Sequence, residues 1–132
     1  MNRVLVCITP QANGKRLIDR GAELSRELSA DLHILHVETS NSIFSAKNAP
    51  EMLEKLFRYG TENGGEVHAI AGGDQFNVIE RFIIEHSVTD VILGEAPENG
   101  RDAGLIISQA LPHVRVTTVE KIKNPIYPYS QS

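Results

Sequence analysis

Two rhythms of apolar and polar positions run through this chain. Val4 to Ile8 is apolar throughout and is closed by Thr9-Pro10. An unbroken apolar run of that length predicts a short strand buried on both faces, since a half-exposed strand would alternate with polar residues. Beyond the break, Leu17, Gly21, Leu24 and Leu28, with Ile18 and Ala22 beside them, recur at helical spacing. They predict one face of a helix that Asn13 is placed to cap. The cycle then repeats. "DLHILHVE", Asp31 to Glu38, predicts a second strand, and Met52, Leu53, Leu56, Phe57 and Gly60 mark the inner face of a helix that stops at "ENGG". "EVHAIAG" reads as a third strand, followed by a helix with Phe76, Ile79, Phe82, Ile83 and His86 on one face. "TDVILG" is the fourth strand, and Ala103, Ile106, Ile107, Ala110 and Leu111 suggest a short fourth helix. Val114 to Ile122 is a fifth strand with partial alternation. The tail "NPIYPYSQS" carries two prolines and no periodicity.

Strands alternating with helices define an α/β domain with a mostly parallel sheet covered on both faces, because each crossover is long enough for a right-handed strand-helix-strand unit. The expected organisation is one such domain over residues 1–123 and an irregular tail over 124–132. At 132 residues with 41% hydrophobic content, one core is affordable without disulfides or metals. In such sheets ligands sit beyond the carboxyl ends of the strands, where the winding direction reverses. The walls of that crevice are expected from Thr9 to Asn13, Glu38 to Asn48, Gly72 to Gln75 and Gly94 to Asp102. Thr9, Gln11, Asn13, Val37, Gly72 and Gly94 are the candidate ligand contacts there. Pro10 and Asn13 equally have ordinary uses in ending a strand and capping a helix.

Charge narrows the partners. Thirteen basic and seventeen acidic residues leave a net charge of −4 with no basic run and no tryptophan, which argues against nucleic-acid binding. Apolar runs fall far short of the roughly 20 residues that span a bilayer, so no membrane association is expected. The lone cysteine, Cys7, cannot form an internal disulfide, which fits the cytoplasm. Its place in mid-strand marks it as a small core residue. His33 and His36 point to opposite faces of their strand, while His68, His86 and His113 fall on separate elements, so no metal site is expected. No Gly-x-Ser-x-Gly, Gly-Lys-Thr or His-Glu-x-x-His pattern occurs, and a non-enzymatic role follows. Asp74 and Glu95 follow the third and fourth strands and are candidates to face one another across the crevice.

The order of elements, the half beginning "RVLVCI" and continuing through "NGKRLIDRGAELSRELSADLHILHVE", and "EHSVTDVILG" before the fourth strand together resemble the universal stress protein family over about residues 3 to 120. Within it, the chain is most similar to the input domain of KdpD-type sensor kinases. The resemblance implies a Rossmann-like three-layer sandwich, a five-stranded sheet in the order 3-2-1-4-5, and dimerisation through strand five. Nucleotide-binding members carry an acidic residue at the end of strand one, where this chain has Thr9. They also carry a glycine-rich loop whose frame falls here on Gly94, Pro97, Ile107 and Ser108. A phosphate cradle needs glycine because backbone N–H groups must approach the anion unobstructed, whereas proline has no N–H and isoleucine adds β-branched bulk. The resemblance therefore implies a small-molecule-sensing or regulatory module without the usual ATP pose. A slowly hydrolysing ATP-binding protein and a ligand-free interaction domain read by a kinase or transporter are the alternatives. Cyclic di-AMP, bound by some KdpD-type domains, is a further candidate ligand through Thr9, Asn13 and the Phe44-Ser45 pair of "IFSAK". In strand five, Val114, Val116 and Thr118 are the expected interface of a homodimer, because an edge strand offers unpaired backbone groups.

Overall fold

A computed structural model describes residues 1–9, 14–38, 49–96 and 100–120. Strands β1 (Arg3–Cys7), β2 (Asp31–Glu38), β3 (Glu66–Ala71), β4 (Asp90–Gly94) and β5 (Arg115–Val119) alternate with helices α1 (Gly14–Leu28), α2 (Ala49–Glu62), α3 (Gln75–His86) and α4 (Ala103–Ala110). All strand pairs are parallel, in the order β3-β2-β1-β4-β5. The first strand in sequence thus lies at the centre of the sheet.

The unbroken apolar runs have a simple cause. On one face Leu5, Leu35, Val37, Val91 and Leu93 pack against Ile79, Phe82 and Ile83 of α3 and Ile107 of α4. On the other, Val4, Val6, Leu32, Ile34 and Ile92 meet Leu17, Ile18 and Ala22 of α1 and Leu56 of α2. Successive side chains of a strand point to opposite faces, so covering both faces favours apolar residues at consecutive positions, with His33, His36 and Asp90 the buried polar exceptions. The outer strand β3, by contrast, has only exposed and half-buried positions.

Local sequence sets the boundaries. Asp74 caps α3, its carboxylate accepting from the Phe76 and Asn77 N–H groups at 2.9 and 3.4 Å. After α2 the chain turns at Gly64, whose φ of +86° a side chain would oppose. Below β4, the Arg115 guanidinium makes a two-pronged pair with the buried Asp90 carboxylate, both bonds 2.8 Å.

Three expectations change. Strand β5 runs Arg115–Val119, shorter than Val114 to Ile122, and residues 121–132, including the tail, lie outside the described residues. Val114 precedes the strand and is buried in the core, and Val116 packs against that same core. A Cβ built on Gly104 of α4 would lie 3.3 Å from Thr118 Oγ1 and 3.5 Å from Val116 Cγ1. Val114 and Val116 are therefore withdrawn into the core, while Thr118 lies beside α4 and stays exposed, next to the backbone edge of β5. In α4, Ile107 is buried whereas Ala110 is exposed, so the buried face is narrower than its apolar content suggests.

Candidate functional site

At the carboxyl ends of β1 and β4 a crevice of about 330 Å³ opens where the winding direction reverses. Cys7, Ile8 and Thr9 form one wall and Leu93 to Ala96 the opposite one. Gly14 and Leu17 enter from the start of α1, Gln75, Phe76 and Ile79 from the start of α3, and Arg101 and Ala103 from the approach to α4. The Arg101 guanidinium lies over the Phe76 ring, 4.1 Å from its centroid. The arrangement sets an apolar floor beneath a fixed cationic rim.

Of the residues expected at this site, Thr9 and Gly94 line the crevice. Gln11, Asn13, Phe44 and Pro97 lie outside the described residues. Val37 does not reach the crevice, because it is buried in the core beneath α3. Gly72 lies at the far end of β3 and borders a separate depression with Asp74 and Arg81. Ser108 is exposed on α4 and is absent from the crevice lining. Ile107, which falls on the third glycine of the frame, is a core residue. Glu95 lines the crevice, whereas Asp74 is not among its lining residues and its carboxylate caps α3. Phe76 and Arg101 line the crevice without a signal in the sequence: Phe76 reads there as an inner helix position, and an isolated arginine in a loop carries no pattern.

Burial pushes the Cys7 thiol up to about 12, leaving it protonated and a poor nucleophile. The crevice therefore offers binding groups: a hydroxyl at Thr9, a cation at Arg101 and an aromatic face at Phe76.

A second constellation sits at the opposite end of the sheet. His33 and His36 do face opposite ways, His36 Nδ1 lying 3.3 Å from the Ile8 carbonyl oxygen. The expectation that separate elements keep the remaining histidines apart is corrected by register. Pairing His33 with Glu66 and Leu35 with His68 puts all four residues on the α3 face of adjacent strands. His33 Nδ1 and His68 Nε2 are 3.0 Å apart, and Glu66 Oε2 is 3.6 Å from His68 Nε2. Burial lowers both imidazole pKa values, His68 lowering His33 further.

No protein-family model matches the chain, and no curated protein sequence matches it. Solved structures do. A universal stress protein from Archaeoglobus fulgidus superposes with a TM-score of 0.67 at 15% identity, covering 89% of this chain and 93% of that one. A universal stress protein in complex with cAMP gives 0.64 at 14% identity, over 92% and 98%. The Archaeoglobus fulgidus protein in complex with dAMP gives 0.59 at 15% identity, over 91% and 97%. The chain has the universal stress protein fold: a three-layer, Rossmann-like α/β sandwich with the sheet order 3-2-1-4-5. No helix among the described residues is long and apolar enough to cross a membrane.

Proposed function

We propose that this chain is a cytoplasmic regulatory module of the universal stress protein type that senses a small nucleotide in the crevice between β1 and β4. The observation that carries the reading is the crevice itself, at the switch point, with Arg101 held over Phe76 at its rim. A guanidinium there suits a phosphate, and the aromatic and aliphatic lining suits a base. The cAMP and dAMP bound by two proteins of this fold support the same class of ligand. Pro97 has no backbone N–H to give and Ile107 brings a branched side chain where the frame has glycine, which weighs against the usual triphosphate cradle.

Thermal unfolding in the presence of AMP, dAMP, cAMP, ATP and cyclic di-AMP tests the reading. A ligand at 100 times its Kd adds about 2.7 kcal/mol to stability. The monophosphates are expected to raise Tm by several degrees, and Arg101→Ala to abolish most of that shift without altering the ligand-free Tm appreciably. A response to ATP alone restores the triphosphate reading. The absence of any response leaves an interaction domain.

The module is read as a homodimer. Among the described residues β5 pairs only with β4, so its outer edge supports antiparallel pairing with a second copy. Light scattering is expected to give twice the 14.5 kDa chain mass, and a monomer at high concentration removes the dimer.

A further inference from the structure

At the amino-terminal end of the sheet, far from the crevice, the ligand atoms of His33, Glu66 and His68 all lie within 4.8 Å of one another. We propose that these three side chains form a binding site for a divalent first-row transition ion, with Zn²⁺ as the reference case.

The geometry suits such an ion. Nitrogen and oxygen ligands about 2.0–2.1 Å from a tetrahedral centre stand about 3.3–3.4 Å from one another. The His33 Nδ1 to His68 Nε2 separation of 3.0 Å and the His68 Nε2 to Glu66 Oε2 separation of 3.6 Å fall on either side of that value. Small ring rotations and the freedom of the exposed Glu66 chain close the difference. In the metal-free protein the two imidazoles share one proton in their mutual hydrogen bond. On uptake of the ion that proton moves to the far nitrogen of its own ring, and both facing nitrogens present lone pairs.

Donor chemistry selects the ion. Two imidazoles and one carboxylate match Zn²⁺ and its neighbours, whereas Mg²⁺ and Ca²⁺ take oxygen ligands. Metal coordination uses the neutral imidazole, and burial disfavours the charged form of both rings. His86 is the adjacent reserve, its ring centroid 6.0 Å from His33 and 5.8 Å from His68. Its Nδ1 lies 3.1 Å from the Phe82 carbonyl oxygen, and donation there leaves Nε2 with its lone pair. Arg3 is the opposing charge nearby, and its pairing with Asp31 at 3.3 Å offsets it. Access is open, because His33, Glu66 and His86 border a depression of about 560 Å³ beside the 63–65 turn. An ion here would pin the outer strand β3 to β2.

The test uses the full chain without an affinity tag, stripped with EDTA, desalted and titrated with Zn²⁺ against a chromogenic indicator. One Zn²⁺ per chain is expected at micromolar affinity or tighter, with a rise in Tm that Mg²⁺ does not reproduce. His68→Gln is expected to weaken binding about 100-fold or more, and the exposed Glu66→Gln about 10-fold. Circular dichroism checks that both variants fold, and if His68→Gln does not, Glu66→Gln decides alone. Stoichiometric binding that survives unchanged in these variants, or no saturation below about 10 μM, overturns the site. Arg101→Ala leaves Zn²⁺ affinity unchanged if the site is independent of the crevice, and a loss there would overturn its placement.

Discussion

Alanine at Leu5 is expected to remove about 3 kcal/mol of folding stability, within the roughly 2–5 kcal/mol range for truncating a buried leucine. Leu5 sits at the centre of the central strand, 0% exposed, opposite His33 on β2 and Val91 on β4. Its side chain belongs to the core layer that Ile79, Phe82 and Ile83 of α3 close from above. Strands hydrogen-bonded on both sides cannot move inward to fill the gap, so the cavity term adds to the lost transfer energy. Against a total stability of about 5–15 kcal/mol for a domain, that is a large fraction. Urea unfolding should show a lower midpoint with an unchanged slope, and a loss below about 1 kcal/mol would contradict the tight packing of this layer.

Gly21→Ala is the second large effect, about 3 kcal/mol at the upper end of the usual overpacking range. A Cβ at Gly21 would lie 2.2 Å from Val6 Cγ2, and Val6 is itself fully buried in the central strand. That methyl is one bond from the valine Cβ and moves only by turning a stiff χ1, so α1 must lift off the sheet. Gly60 in α2 makes the instructive contrast. Its Cβ would meet Ile34 Cδ1 at 2.3 Å, the far end of a side chain that can swing aside. A gain of about 1 kcal/mol in helix propensity then offsets part of the strain in Gly60→Ala. Parallel urea curves should place Gly21→Ala well below Gly60→Ala, and equal midpoints would refute the asymmetry.

The centre of the sheet was legible because its strands announce their burial. Val4 to Ile8 and Val91 to Leu93 are apolar at consecutive positions, as cover on both faces favours. Helix faces were legible for α1 and α3, where the spacing of Leu17, Ile18 and Ala22 and of Ile79, Phe82 and Ile83 matches the buried set. The site was less so. Thr9 and Gly94 could be placed from topology alone, since every strand of a parallel sheet ends on the same side. Val37 and Ser108 could not, because one residue of register or a third of a helical turn separates a crevice contact from a core or surface position. The histidine cluster depends on which residues of β2 stand beside which of β3. That register is a long-range property, and a 35-residue separation between His33 and His68 carries no local signature of it. Asp74 shows the converse: a carboxylate at a loop tip looked available for chemistry, and its oxygen is occupied by the backbone of the helix it begins.

The central place of β1 has a consequence for how the chain comes into being. Arg3 donates its N–H to Thr89 Oγ1, 86 residues further along, and the Thr89 N–H returns to the Arg3 carbonyl oxygen at 2.9 Å. Such distant closures slow folding relative to a helical bundle of equal length. At a synthesis rate of about 5–20 residues per second, β1 leaves the ribosome on the order of 10 s before its β4 neighbour exists. β2 arrives early and covers one side. During that interval the other edge of the strand that will be most deeply buried stands open, a ready template for a chaperone or for another nascent chain.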